Sequence, residues 1–306
     1  MLSLNPAFLF QAVTGISANS FLMFSYIFTI FLDHRLKLTD LITFHLALNH
    51  IVMLLTALLL LSLHLFESLD SQNDFKWKAF FYLNRVMRGL SISTTCLLSM
   101  LQAITISPST SWLARFKQKF TSYMMHIFVF SWSLSLCCRT YLLFYAVASS
   151  SVNETNMPVL GKYCSLSPIN SIIRGMFLTL IFSSDVFFVG IMLLSSAYMV
   201  ILLSRHQRLC QVLHSTSLYA RISPERRATQ TILLLMSFFV FIYWVNLTIF
   251  SLSALSWRNN SIILGVQKFV VNVYATVSPL VLISSHKKIS NILQYMQWKC
   301  HQFLKS

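Results

Sequence analysis

Apolar residues recur along the chain in seven stretches of helix length, at about 8–32, 41–66, 78–106, 122–147, 171–204, 228–252 and 263–284. A membrane-crossing helix uses about 20 to 25 residues, most of them apolar. The pattern therefore predicts seven transmembrane helices joined by short polar loops. An odd number of spans puts the two ends on opposite sides. After the seventh stretch, Ile289, Ile292, Leu293 and Met296 repeat at helical spacing behind Lys287 and Lys288. That spacing predicts a short amphipathic helix on the membrane surface, within a cytoplasmic tail over 285–306. Ser223-Pro224-Glu225 is a helix start, so the sixth helix is expected to begin ahead of the membrane. The fold class is thus all-α: a single seven-helix bundle filling 1–306.

Composition agrees and excludes other classes. Hydrophobic residues make up 56% of the chain and charged residues 10%, against about a quarter charged in soluble domains. The net charge of +15 is spread among loops rather than massed on one face, which argues against a nucleic-acid partner. With the N-terminus outside, the inner side would hold Arg35, Lys37, Arg115, Lys117, Lys119, Arg205, Arg208, Arg221, Arg226, Arg227 and the tail lysines. The outer side would hold Lys76, Lys78, Lys162, Arg174, Arg258 and Lys268. The excess of basic residues on cytoplasmic loops favours this orientation. Asn153 and Asn259 open glycosylation sequons in the two outer loops, in keeping with it.

Few residues offer chemistry. The six cysteines have no metal-ligand spacing. No nucleophile triad, carboxylate pair or phosphate loop stands out, so neither an enzyme, a metal site nor a cofactor is expected. The glycines and prolines show no pairing between halves of the kind transporters carry.

Ionisable groups inside a membrane are functional by default. Arg85 and Arg88 share one face of the third helix, about 10 and 15 Å inward from Lys78 at 1.5 Å per residue. Asp185, the only acid within a span, lies at comparable depth on the fifth helix, which makes an ion pair between helices three and five geometrically possible. Arg139 lies in the outer half of the fourth. Two roles stand open: a polar ligand pocket whose net positive charge suits acidic or acceptor-rich ligands, such as a sulfated steroid, or a structural arrangement in which Asp185 neutralises one arginine. Asn246, with His64, Tyr243, Trp244 and Asn272, fits ligand contact or helix–helix hydrogen bonding, and Asn19 and Asn49 fit packing between helices. The inner arginines Arg115, Arg205, Arg208, Arg226 and Arg227, with Gln102, could meet a cytoplasmic partner or anionic membrane lipid.

Motifs narrow the class. Phe81–Ser109, FYLNRVMRGLSISTTCLLSMLQAITISPS, closely resembles the third helix of the vomeronasal type-1 (pheromone) receptor family. Tyr163-Cys164-Ser165, the run from Ser195 through Ser204–Arg208 to Ser223–Val240, and Ser278-Pro279-Leu280 resemble other motifs of that family in the same order. The resemblance spans about 35–285. It implies a chemosensory receptor of the plasma membrane in sensory neurons, small organic pheromones as ligands, and an inhibitory-class heterotrimeric G protein as partner. A bitter-taste-like chemoreceptor is the nearest alternative, and a small transporter or channel a more distant one.

Three departures from the family pattern matter. Trp77 stands where relatives carry a cysteine, so Cys164 is expected to be unpaired and no disulfide to form. Ser183-Ser184-Asp185-Val186 stands where relatives read Phe-Pro-Asp-Val. Leu101-Gln102-Ala103 replaces the Asp-Arg-Tyr found in many other receptors, as it does in this family.

Overall fold

The computed structural model describes residues 4–33, 38–65, 73–108, 112–140, 146–148, 159–161, 164–166, 171–213, 224–255 and 261–285. Seven helices follow one another: α1 (Leu4–Asp33), α2 (Leu38–Leu65), α3 (Asn73–Ile106), α4 (Trp112–Arg139), α5 (Ser171–Leu213), α6 (Pro224–Leu255) and α7 (Ser261–Ser285). Four carry stretches long and apolar enough to cross a membrane: Pro6–Thr29, Leu38–Leu61, Lys78–Ile106 and Gly175–Arg205. Shorter apolar stretches run over Leu233–Asn246 in α6 and Phe269–Ile283 in α7.

The largest differences from the boundaries that hydropathy predicts fall on α4 and α5, and α4 begins at Trp112 rather than at 122. α4 stops at Arg139 rather than continuing to 147, and Ala146–Ala148 is strand β1 instead. With β2 (Val159–Gly161) and β3 (Cys164–Leu166) it forms a small antiparallel sheet of order β1-β3-β2 between α4 and α5. α5 in turn runs to Leu213, beyond the predicted 204, because nothing in Arg205–Leu213 breaks a helix once the apolar run ends. The expected tail helix over 285–306 lies outside the described residues.

α3 is the hub. It packs against α2, α4, α5 and α6, while α7 closes the ring against α1, α2 and α6. Its spanning stretch is 83% buried, against 17% for that of α5. Its buried positions include Ser91, Ser93, Thr94, Thr95 and Ser99. Small polar residues of this kind let helix backbones approach in a membrane and hydrogen-bond across the gap. Thr95 meets the Tyr274 hydroxyl at 3.2 Å and Ser99 meets Ser195 at 2.5 Å. Near the end of α3, Ser107 meets the Tyr198 hydroxyl at 2.9 Å.

Two histidines join helices. The Trp132 indole N–H donates to His45 Nε2 at 3.1 Å. An indole nitrogen can only donate, so Nε2 accepts, and Nδ1 lies 3.1 Å from Thr94 Oγ1 and 3.3 Å from Asn49 Nδ2. His45 thereby ties α2 to α3 and α4. His50, fully buried, lies between Ser91 (2.8 Å) and Ser278 (3.3 Å), tying α2 to α3 and α7.

Pro279 sits inside α7. Having no N–H, it leaves the carbonyl four residues earlier, that of Ala275, without its helical donor. Asn19 of α1 supplies one: its amide donates to Ala275 O at 2.9 Å and to Gly15 O at 2.7 Å. Gly15 permits the approach, since a methyl there would come within 2.7 Å of Leu54 Cδ1 and 2.9 Å of Thr276 Oγ1. Asn19→Leu should therefore cost about 1–3 kcal/mol, read as a lower thermal midpoint of the detergent-purified protein. Adding Pro279→Ala, which restores the helical donor, should recover part of that loss. An equal cost in both backgrounds would exclude this pairing.

Candidate functional site

The charged residues the sequence singles out converge where α3, α4 and α5 meet. Arg139, the last residue of α4, places Nη2 3.4 Å from Asp185 Oδ1 on α5. The two side chains are 6% and 18% exposed. This is the ion pair, and the acid's partner is Arg139 rather than an arginine of helix three. Equal depth permitted Arg85 or Arg88, but Arg139 reaches Asp185 past the backbone of α3. It does so over Gly89: a methyl on Gly89 would lie 2.5 Å from Arg139 Cζ and Nη2 and 2.6 Å from Nη1. Any larger residue would occupy the space of the guanidinium.

The helix-three arginines have other surroundings. The Arg85 guanidinium carbon stands 5.2 Å from the centroid of the Phe81 ring, one turn back on the same helix. Arg88 lies within the electrostatic reach of Asp185, Arg85, Arg139 and Tyr243, and no carboxylate pairs with it among the described residues. It lines a small cavity of about 40 Å³ with Met53, Ser91, Phe239, Tyr243, Asn246 and Tyr274 among its neighbours. This cavity lies between α3, α6 and α7, with α2 at one side. Asn246 is 8% exposed, and its Oδ1 has no hydrogen-bond partner. A buried acceptor left unmet costs its desolvation, about 1–3 kcal/mol. An unpaired cation and an unmet acceptor thus line one void, and together they can receive a small polar group that accepts from the first and donates to the second.

The other candidates divide. Gln102 is 6% exposed, inside the bundle rather than on its surface. Arg205 is exposed on α5. Arg115 lies in the first turn of α4, Arg208 in α5, and Arg226 and Arg227 in the first turn of α6; their side chains lie outside the described residues. So do Asn153 and Asn259, and the side chains of Trp77 and Cys164, whose backbones belong to α3 and β3. Trp244 is 61% exposed and points away from the bundle. Three features were not read from the sequence: Gly89, the His50 node, which meets the cavity-lining Ser91 and Tyr274, and the His45 node between α2, α3 and α4. A lone glycine beside an intramembrane arginine was the available signal, since mid-helix glycine costs about 1 kcal/mol against alanine and needs a packing reason.

Similarity to known proteins runs the length of the chain. The family described as "Vomeronasal organ pheromone receptor family" matches residues 3–295. Vomeronasal type-1 receptor 90 of Rattus norvegicus is 43% identical over 287 residues, covering 94% of this chain and 92% of the relative. Vomeronasal type-1 receptors 47 and 51 of Mus musculus are each 39% identical, over 285 and 292 residues, covering 93% and 95% of this chain and 91% of each relative.

Proposed function

The chain belongs to the vomeronasal type-1 receptor family, and on that premise we propose that it is a G-protein-coupled chemosensory receptor for small organic cues. All seven helices cross the plasma membrane with the N-terminus outside, as the distribution of basic residues favours. The cluster around Arg88 then lies in the outer half of the bundle, and Arg205 lies toward the cytosol. The inner ends of α3, α5 and α6 receive an inhibitory-class heterotrimeric G protein. The chain is a receptor rather than an enzyme, and its ligand is acidic or rich in acceptors.

The observation that carries this reading is the cavity that Arg88 and Asn246 share. Ligand pockets enclose roughly 300–1,000 Å³, so a drug-sized ligand needs a wider arrangement than this cavity of about 40 Å³. A ligand that binds a wider arrangement better shifts the population toward it. α6 is the wall best able to give way. It supplies Phe239, Ile242, Tyr243 and Asn246 to the cavity, and its opposite end faces the cytoplasmic partner.

The test is a G-protein activation assay in cells, with tagged receptor quantified at the surface and pooled steroid sulfates, free steroids and volatiles applied. The expected result is a response that disappears when the inhibitory-class G protein is blocked. Ligand-driven flux that persists under that block would replace the receptor reading with that of a channel or transporter.

A further inference from the structure

We propose that Gly89 determines the charge preference of the binding site, by letting Arg139 reach and hold Asp185 so that Arg88 stays free for the ligand. The inference deepens the proposed function and rests on its reading of Arg88 as the residue that meets the ligand.

Arg139 and Arg88 compete for a single acid. Both stand within electrostatic reach of Asp185, and Arg139 makes the contact at 3.4 Å. Its guanidinium can lie there because position 89 has no side chain. Arg88 is the neighbouring residue on α3 and lines the cavity. If position 89 carried a methyl, the guanidinium would have to give way, being the movable end of a flexible side chain while the α3 backbone is fixed. Asp185 would then be left to the remaining arginines, and Arg88 would turn from the cavity to the carboxylate. The site would lose its uncompensated cation without losing any residue that touches the ligand. Gly89 is thus a positioning residue acting through Arg139 and Asp185. Helical alanine is intrinsically better than glycine, so Gly89→Ala changes the pairing without weakening the helix.

The pairing can be read without any ligand, from the effect of Arg88→Met on the thermal midpoint of purified receptor. In the natural sequence Arg88 is a half-buried cation that no carboxylate contacts among the described residues, and Arg88→Met should raise the midpoint. In the Gly89→Ala background Arg88 holds Asp185, and the same change should lower it. Arg139→Gln frees Asp185 without touching α3 and should reverse the sign in the same way, so the test stands even if one background folds poorly. A merely structural role for Gly89 would leave the effect of Arg88→Met with the same sign throughout, and that result would overturn the proposal. In the cell assay, the preference for steroid sulfates over matched free steroids should fall at least tenfold in Gly89→Ala at equal surface level. An unchanged preference would overturn it as well. A natural-sequence receptor that answers free steroids and ignores the sulfates would instead refute the acidic-ligand reading, and the midpoint measurements would still decide how the arginines pair.

Discussion

Asp185→Asn is expected to be the most damaging single substitution in the bundle, with the tagged protein largely lost from the cell surface and the thermal midpoint of what can be purified strongly reduced. The reason is arithmetic of charge in a medium that does not solvate it. Arg85, Arg88 and Arg139 gather around one acid. Removing one member of a buried pair costs about 3–5 kcal/mol, because the survivor stays buried and uncompensated. Here the survivor is Arg139, 5% exposed and held against the α3 backbone at Gly89. A whole domain is stable by only about 5–15 kcal/mol, so this loss is a large share. Arg139→Gln should be milder, since Arg88 can take over the carboxylate. That asymmetry separates an ion pair competed for by several cations from an isolated one. Wild-type surface level and midpoint in Asp185→Asn would show that the pair carries no structural weight.

The course of the helices was largely readable from sequence because each apolar run is long and flanked by polar residues. It failed where hydropathy is blind to backbone form. Leu142–Ala148 is as apolar as a helix end, yet Ala146–Ala148 pairs with Cys164–Leu166, and three-residue strands are too short to show a two-residue period. The site was readable in its membership and not in its pairing. Counting residues gives depth along a helix, and depth put Asp185 at a level comparable to Arg85 and Arg88 and left Arg139 in the outer half of the fourth helix. It gives no rotation about the axis and no distance between axes, and those decide which arginine meets the acid. Gly89 carries that information: an absent side chain is visible in sequence, but what fills its space is not. Asn19 shows the same limit. Its place between helices was expected, while its carbonyl acceptor on α7 follows from Pro279 only once α1 and α7 are known to touch.

Arg88→Met is expected to do the opposite of Asp185→Asn to stability while abolishing much of the response. Potency for an anionic agonist should fall by roughly 10- to 150-fold, the equivalent of the 1.5–3 kcal/mol that a hydrogen bond to a charged group contributes. At the same time the thermal midpoint and the surface level should rise, since the cavity loses a cation that no carboxylate contacts among the described residues. Binding sites commonly sacrifice stability in this way, and stabilising changes there tend to cost function. Asp185 remains satisfied throughout, because its partner is Arg139. Dose–response curves at matched surface level, together with midpoints, check both halves. A variant that loses stability along with response would make Arg88 a packing residue, and one that gains stability with its potency intact would move the anion's contact elsewhere in the bundle.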